Sequence, residues 1–373
     1  MASRRHTLLV LILVFLAAGS GWAAWWYKVG RYYESTDNAY VAGNLVEVTP
    51  QVAGTVVAIG ADDTDRVQAG QMLVRLDAAD AQVALDQAEA DLARAVREAR
   101  TLYANNLTLE ANVRVREAEL QRAEEALARR TSLADKGMVT REDFDNARAT
   151  MAAARASLAA ARESLAANRV LTERVKLEEQ PSVLRAAARV REAYLALKRV
   201  EIPAPVGGYV ARRSVQVGQR VAPGTPLMAI VPLENLWVDA NFKEVQLREM
   251  RIGQPVHLVA DLYGGTVEYH GKVAGLAAGT GGAFALLPPQ NATGNWIKVV
   301  QRLPVRIALD AGELRRHPLR IGLSMKAEVE IRDTSGAQLA AAPRSGTAYA
   351  TQAFSAPATE AEARVRAIIS AHR

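Results

Sequence analysis

Cysteine is absent from this chain of 373 residues. Its absence excludes disulfides, thiolate metal centres, a cysteine nucleophile and a lipidated N-terminal cysteine. Aromatic residues are scarce, at 5% of a chain that is 50% apolar. Small and aliphatic side chains, alanine above all, supply the rest, and these suit thin, closely packed helices better than a thick globular core. The five histidines, His6, His257, His270, His317 and His372, are scattered without a metal-ligand spacing. No Gly-rich phosphate loop or nucleophile elbow occurs, so no catalytic, cofactor-binding or metal-binding residue is expected. Asp62-Asp63-Thr64-Asp65 lacks EF-hand spacing and reads as a polar turn. The net charge of +6 arises from Arg and Glu alternating along helical stretches, which describes a solvated basic surface without a nucleic-acid motif.

What is present begins with an uncharged stretch from Thr7 to Tyr27, TLLVLILVFLAAGSGWAAWWY. About 20 apolar residues span a hydrocarbon core of ~30 Å. Arg4 and Arg5 precede the stretch, and Trp22, Trp25, Trp26 and Tyr27 close it. The pattern predicts a cytoplasmic N-terminus over 1–6, a single transmembrane helix over 7–27 and an aromatic belt at the far interface. A cleaved signal peptide ending near Ala17-Ala18-Gly19 is the alternative, although its apolar region would be shorter and would need no aromatic belt. Either reading delivers the chain from residue 30 onward to the far side of the membrane.

An internal repeat organises the middle of the chain. Val52–Leu76 matches Val206–Ile230 at one constant offset, which pairs Gly54 with Gly208, Val67 with Val221, Gly70 with Gly224 and Leu73 with Leu227. Each copy alternates apolar residues with period 2 between glycines, so each predicts about four short strands. One copy is too small to bury a core. Copies over 46–77 and 200–232 packed face to face make a small split β-sandwich, with the intervening residues as an insertion. Protein lipoyl and biotinyl carriers place a modified lysine between such halves, but residues 40–77 contain no lysine.

The insertion, 78–199, reads as two long helices. Leu85, Ala88, Leu92, Ala95, Ala99, Leu102 and Leu109 follow an a/d heptad pattern, continued after a four-residue step by Val113, Leu120 and Leu127. Phe144, Ala147, Met151, Ala154, Leu158, Ala161 and Leu165 repeat the logic. The first arm, to Ala134, is ~85 Å long and the second nearly equal, which predicts an antiparallel coiled-coil hairpin with its tip at 134–140. Gly137 suits the left-handed conformation that ends a helix, and Thr140 with Asp143 forms a capping box for the next one. Pro181 should break or kink the second arm near its base.

From Leu236 to Arg332, five alternating segments separated by glycines and prolines predict a β-barrel over 233–332, with 34–45 returning to add a strand. The fourth of these segments is expected as a strand over Trp296–Leu309. Gly275–Asn295 is too rich in Gly and Pro for regular structure. The Ala-, Ser- and Thr-rich tail, 333–373, predicts disorder with a short helix over Thr359–Ser370.

An anchor, two lipoyl-like half-motifs and a long hairpin between them resemble the periplasmic adaptors, or membrane fusion proteins, of the HlyD type. Thr36–Val56 (TDNAYVAGNLVEVTPQVAGTV), Leu236–Leu247 (LWVDANFKEVQL) and Thr293–Ile307 (TGNWIKVVQRLPVRI) are similar to the EmrA-like multidrug efflux branch. The resemblance covers about residues 5–332 and leaves the tail unexplained. Arg129, Leu133 and Thr140 match the family's tip pattern, with Thr where Ser is commoner, and with Gly137 they would dock onto a TolC-type outer-membrane channel. The resemblance implies a ring-forming homo-oligomer, a hexamer, in the inner membrane of a Gram-negative cell with the bulk of the chain periplasmic. It implies an inner-membrane major-facilitator drug/proton antiporter as partner, without cofactor, enzymatic activity or nucleic acid. A type I secretion adaptor serving an ABC exporter and a structural coiled-coil envelope protein remain the alternatives.

Overall fold

The computed structural model describes residues 2–373 apart from 174, 285–298, 341 and 344. The side chains of 2–10, 12, 14 and 356 also lie outside the description. The chain opens with α1 (Ala2–Lys28), which leaves Trp22, Trp25, Trp26 and Tyr27 exposed toward its C-terminal end. Of the expected membrane span over 7–27, the side chains of 7–10, 12 and 14, Thr7 included, lie outside the described residues. Among the described residues, no helix is long and apolar enough to cross a membrane.

A closed barrel follows from the alternating segments. Its strands are β1 (Tyr33–Ala42), β10 (Trp237–Lys243), β11 (Pro255–Ala260), β12 (Glu268–Leu276), β13 (Arg302–Leu309) and β14 (Ser324–Glu330). They close antiparallel in the order β1-β10-β13-β12-β11-β14, so no strand presents a free edge. Inward positions Ala39, Val238, Ala240, Phe242, Val256, Leu258, Tyr269, Val305, Ile307 and Val329 form its core. The strand expected from Trp296 begins only at Arg302. Residues 296–298 and most of the expected loop lie outside the described residues.

The repeat folds as two four-stranded sheets. The first half contributes β2 (Val46–Val48), β3 (Gly54–Ile59), β4 (Arg66–Val67) and β5 (Met72–Leu76). The second contributes β6 (Glu201–Pro203), β7 (Gly208–Arg213), β8 (Arg220–Val221) and β9 (Met228–Val231). The sheets read β2-β9-β7-β4 and β6-β5-β3-β8. Each sheet therefore takes two strands from each half, which corrects the expectation of two copies stacked face to face. Gly70 and Gly224 have matching left-handed φ of +83° and +82°. They donate to Ala204 O and Pro50 O respectively, positions equivalent in the repeat. A short strand pair cannot bury its apolar residues by itself, and interleaving lets Val67 and Val221, Leu73 and Leu227 share one core.

Between the halves runs α2 (Ala79–Ala134), 56 residues or ~84 Å. It is answered by α3 (Arg141–Thr172) and α4 (Pro181–Lys198). The second arm breaks before Pro181, which takes the first position of α4, where its missing N–H costs nothing. Gln180 Nε2 bridges the break by donating to Tyr103 OH on α2 (3.0 Å) and to Leu171 O (2.9 Å).

The tail departs most from expectation. Its helix α6 (Ala356–His372) is longer than predicted and lies against α2 and α4. Val365 and Ile369 join Leu85, Leu92, Val96, Val183 and Val190 in one apolar cluster. Arg364 grips Glu89 with two hydrogen bonds (2.7 and 2.9 Å), Arg191 meets Glu362 (2.7 Å) and Lys198 meets Glu360 (2.9 Å). The hydrogen bond that Lys198 donates to Glu360 raises the Lys198 pKa and lowers that of Glu360.

Candidate functional site at the hairpin tip

The tip is built by helix-capping chemistry. Gly137 adopts φ +71°, and its N–H donates to Ala134 O (2.9 Å) while Met138 N–H donates to Leu133 O (3.0 Å). These are the two closing bonds of a Schellman turn, which satisfy carbonyls that the helix end would orphan. Thr140 opens α3 by accepting the Asp143 N–H at Oγ1 (3.1 Å). The Asp143 carboxylate is a methylene shorter than the usual Glu, and it receives the Thr140 hydroxyl proton (2.5 Å).

All four predicted docking residues fall on this turn and the helix end before it. Arg129 points outward and, among the described residues, reaches only Glu125 on its own helix (3.9 Å), with both side chains more than half exposed. Such a pair contributes little and leaves the guanidinium available to a carboxylate partner. Leu133 is 41% exposed. Met138, which the sequence reading passed over, is 70% exposed. Its signal was its place just after the C′ glycine, where an apolar residue commonly pairs with the one five before it. Leu133 and Met138 thus occupy paired apolar positions of the turn and still face solvent.

The arms beneath are held in register by charge as well as by their seam. Arg155, Arg162 and Arg169, seven apart on α3, meet Glu124, Glu117 and Glu110, seven apart in the opposite direction on α2, at 3.7, 2.8 and 2.8 Å. One-heptad steps on both arms fix an antiparallel pairing without slippage. Nearer the break, Asn168 Nδ2 donates to Asn106 Oδ1 (2.8 Å) and Asn106 Nδ2 to Thr172 Oγ1 (2.7 Å), a polar lock beside the Ala/Leu seam.

Two other sequence features resolve elsewhere. In the acidic turn, Asp62 accepts from Arg213 Nε (2.7 Å) and Asp63 from the Arg213 N–H (2.6 Å). The Arg213 hydrogen bond, then that from the Asp63 N–H, holds the Asp62 carboxyl below its ordinary pKa. The turn is a brace between the repeat halves. The histidines are less scattered than the sequence suggested. His257 on β11 and His270 on β12 are direct cross-strand partners, with ring centroids 5.3 Å apart. Strand pairing overrides their separation along the chain.

Comparison with known proteins places this architecture among others. The family described as EMRA, alpha-helical hairpin domain, matches residues 79–200. The multidrug export protein EmrA of Escherichia coli strain K12 is 48% identical over 321 residues, covering 86% of this chain and 82% of the relative. The probable multidrug resistance protein EmrK of the same strain is 43% identical over 372 residues, 99% of this chain and 96% of the relative. The fatty acid resistance protein FarA of Neisseria gonorrhoeae is 49% identical over 335 residues, 90% and 84% of the two chains. Among solved structures, that of the periplasmic adaptor protein EmrA covers 80% of this chain and 98% of its own, at 18% identity and a TM-score of 0.40.

Proposed function

This chain belongs to the EmrA branch of the HlyD-type periplasmic adaptor, or membrane fusion protein, family, and from that membership we propose that it is the adaptor subunit of a tripartite efflux pump in a Gram-negative envelope. In this reading residues 7–27 cross the inner membrane once, with Arg4 and Arg5 retained in the cytoplasm and the Trp22, Trp25, Trp26 and Tyr27 belt at the periplasmic face. Barrel and sandwich stand above an inner-membrane major-facilitator antiporter, and the hairpins of a hexameric ring reach a TolC-type channel. The cargo is drugs or toxic hydrophobic compounds. Relatives named for multidrug export and fatty acid resistance support that class.

The observation that carries the docking role is the apolar pair Leu133 and Met138, left in solvent at the end of a double helix of ~80 Å. A turn that only connected two helices would function with polar residues at both positions. Arg129, weakly engaged beside them, supplies a cation for a carboxylate on the channel.

The test replaces Leu133 and Arg129 singly by Asp in cells that lack the native adaptor. Each variant should accumulate in the membrane fraction, fail to restore efflux and fail to crosslink to the outer-membrane channel. A folded Leu133→Asp protein with full efflux and full crosslinking would remove the docking role and leave the turn a turn.

A further inference from the structure

Outward positions of β11 and β12 carry a group of side chains unrelated to the hairpin. Burial alternates along both strands, with Val256, Leu258 and Tyr269 inward and His257, Glu268 and His270 outward. His257 and His270 are in direct register, which sets their Cβ atoms about 5 Å apart. Their rings meet edge to face at 73°, and one donor atom each from His257, Glu268 and His270 lies within 4.8 Å of the others.

Glu268 Oε1 is 2.7 Å from His257 Nδ1. Glu313, on the short helix α5 (Ala311–Arg316), holds His270 twice, through its ring Nδ1 (2.8 Å) and its backbone N–H (2.7 Å). Glu328 of β14 lies directly across from His257 on its other side. Lys272 and Lys326 are the cations on the same outer face of these strands.

We propose that this face of the barrel binds a divalent transition cation of the zinc class, with His257, His270 and Glu268 as ligands and Glu313 as the group that orients His270. Two imidazoles and one carboxylate, with no thiolate, match zinc, nickel or copper(II) rather than magnesium or calcium, which take oxygen donors. A carboxylate on Nδ1 fixes the tautomer that leaves Nε2 free to coordinate, the arrangement by which metal-binding histidines are commonly oriented. Metal–nitrogen distances of about 2.0–2.1 Å require the donors to converge by rotation of side chains. The His257, Glu268 and His270 side chains are 42%, 54% and 58% exposed and have that freedom. Glu313, only 17% exposed and anchored on the backbone, is the fixed point about which the site closes. Three protein ligands leave further positions for water or a partner's side chain.

The test is isothermal titration of the tag-free full-length protein in detergent with ZnCl2, repeated with MgCl2. One zinc per chain should bind saturably and magnesium should neither bind nor compete. His257→Ala/His270→Ala should lower the zinc affinity at least tenfold, and Glu313→Gln should weaken it by about tenfold without changing the stoichiometry. His6→Ala/His372→Ala, at the two chain ends, should change neither. As an independent readout, bound copper(II) should show two nitrogen donors by electron paramagnetic resonance, lost in the double variant. Circular dichroism checks that each variant is folded. Unchanged zinc affinity in a folded double variant, absence of zinc binding in the parent protein, or equal binding of magnesium would each overturn the site.

Discussion

At the residue scale, one position can serve two ends, and Leu133 does so. Its carbonyl closes the turn while its side chain remains in solvent. Leu133→Asp should therefore change the stability of the free protein by only a few tenths of a kcal/mol. In a docked tip the same change buries an unpaired charge, at a cost of a few kcal/mol, and each 1.4 kcal/mol is tenfold in affinity. Denaturant titration and crosslinking separate the two effects. Thr140→Ala removes one cap and should cost about 1 kcal/mol in the same titration, with less loss of efflux. Tyr269 makes a different prediction. Its buried phenol donates to His317 O (3.0 Å), and burial first, then the nearby Tyr263, push its pKa up to about 12 from an ordinary 10.0. The folded chain thus keeps a proton that the unfolded chain has released. The resulting stabilisation is whole below pH 10, falls as pH rises and is spent by about pH 12. Tyr269→Phe cannot ionise and should lose less stability across that window. Equal alkaline slopes for the two proteins would contradict the burial argument.

At the scale of the element, the hairpin's register and its tail clamp are separable. The Arg162–Glu117 pair is 59% and 44% exposed, so its contribution is small, about 0.2–1 kcal/mol by double-mutant cycle. Arg162→Glu should be tolerated and should recover when combined with Glu117→Arg, because the charges choose a register that the Ala/Leu seam stabilises. The clamp is different. Val365 is 2% exposed where α6 meets α2 and α4. Val365→Asp should release α6 in preference to burying the charge. Hydrogen exchange should then rise in α6 and along the facing surfaces of α2 and α4, while the tip half of the hairpin keeps its protection. Unaltered exchange in α6 would mean that the tail packs too weakly to matter.

For the whole molecule, the interleaved sandwich and the N-terminal segment set the tests. Since both sandwich sheets mix strands from 46–77 and 200–232, the two segments joined by a short Gly/Ser linker should fold together. Circular dichroism and dispersed NMR spectra would show it, and an unfolded product would contradict a shared core. The same excision in the full chain should leave a folded protein that no longer exports. The membrane reading is tested apart from this. A periplasm-dependent reporter fused after Arg31 should be active, and the mature protein should keep Arg4 and Arg5. A soluble product beginning near residue 20 would replace the anchor by a cleaved signal.

The sequence by itself determined what depends on local periodicity and on residues with few backbone options. The heptads from Leu85 to Leu127 and from Phe144 to Leu165 announced the two arms, Gly137 and Thr140 their turn, and period-2 alternation most of the barrel strands. Gly137 and Thr140 were legible for the same reason, because capping residues act within a few positions of each other, whereas Arg129 and Leu133 were singled out only by the family resemblance. Met138 was overlooked because its exposure depends on how the turn presents it. Only the tertiary structure decided what depends on pairing across long distances. The exchange of strands between the repeat halves buries both apolar sets at once, a preference that no single half expresses. The docking of α6 needs a face built jointly by α2 and α4, so a composition that reads as a loose tail becomes a packed helix. His257 and His270 become neighbours through β11–β12 register, which places side chains 13 residues apart on opposed Cα atoms and so changes what they can bind.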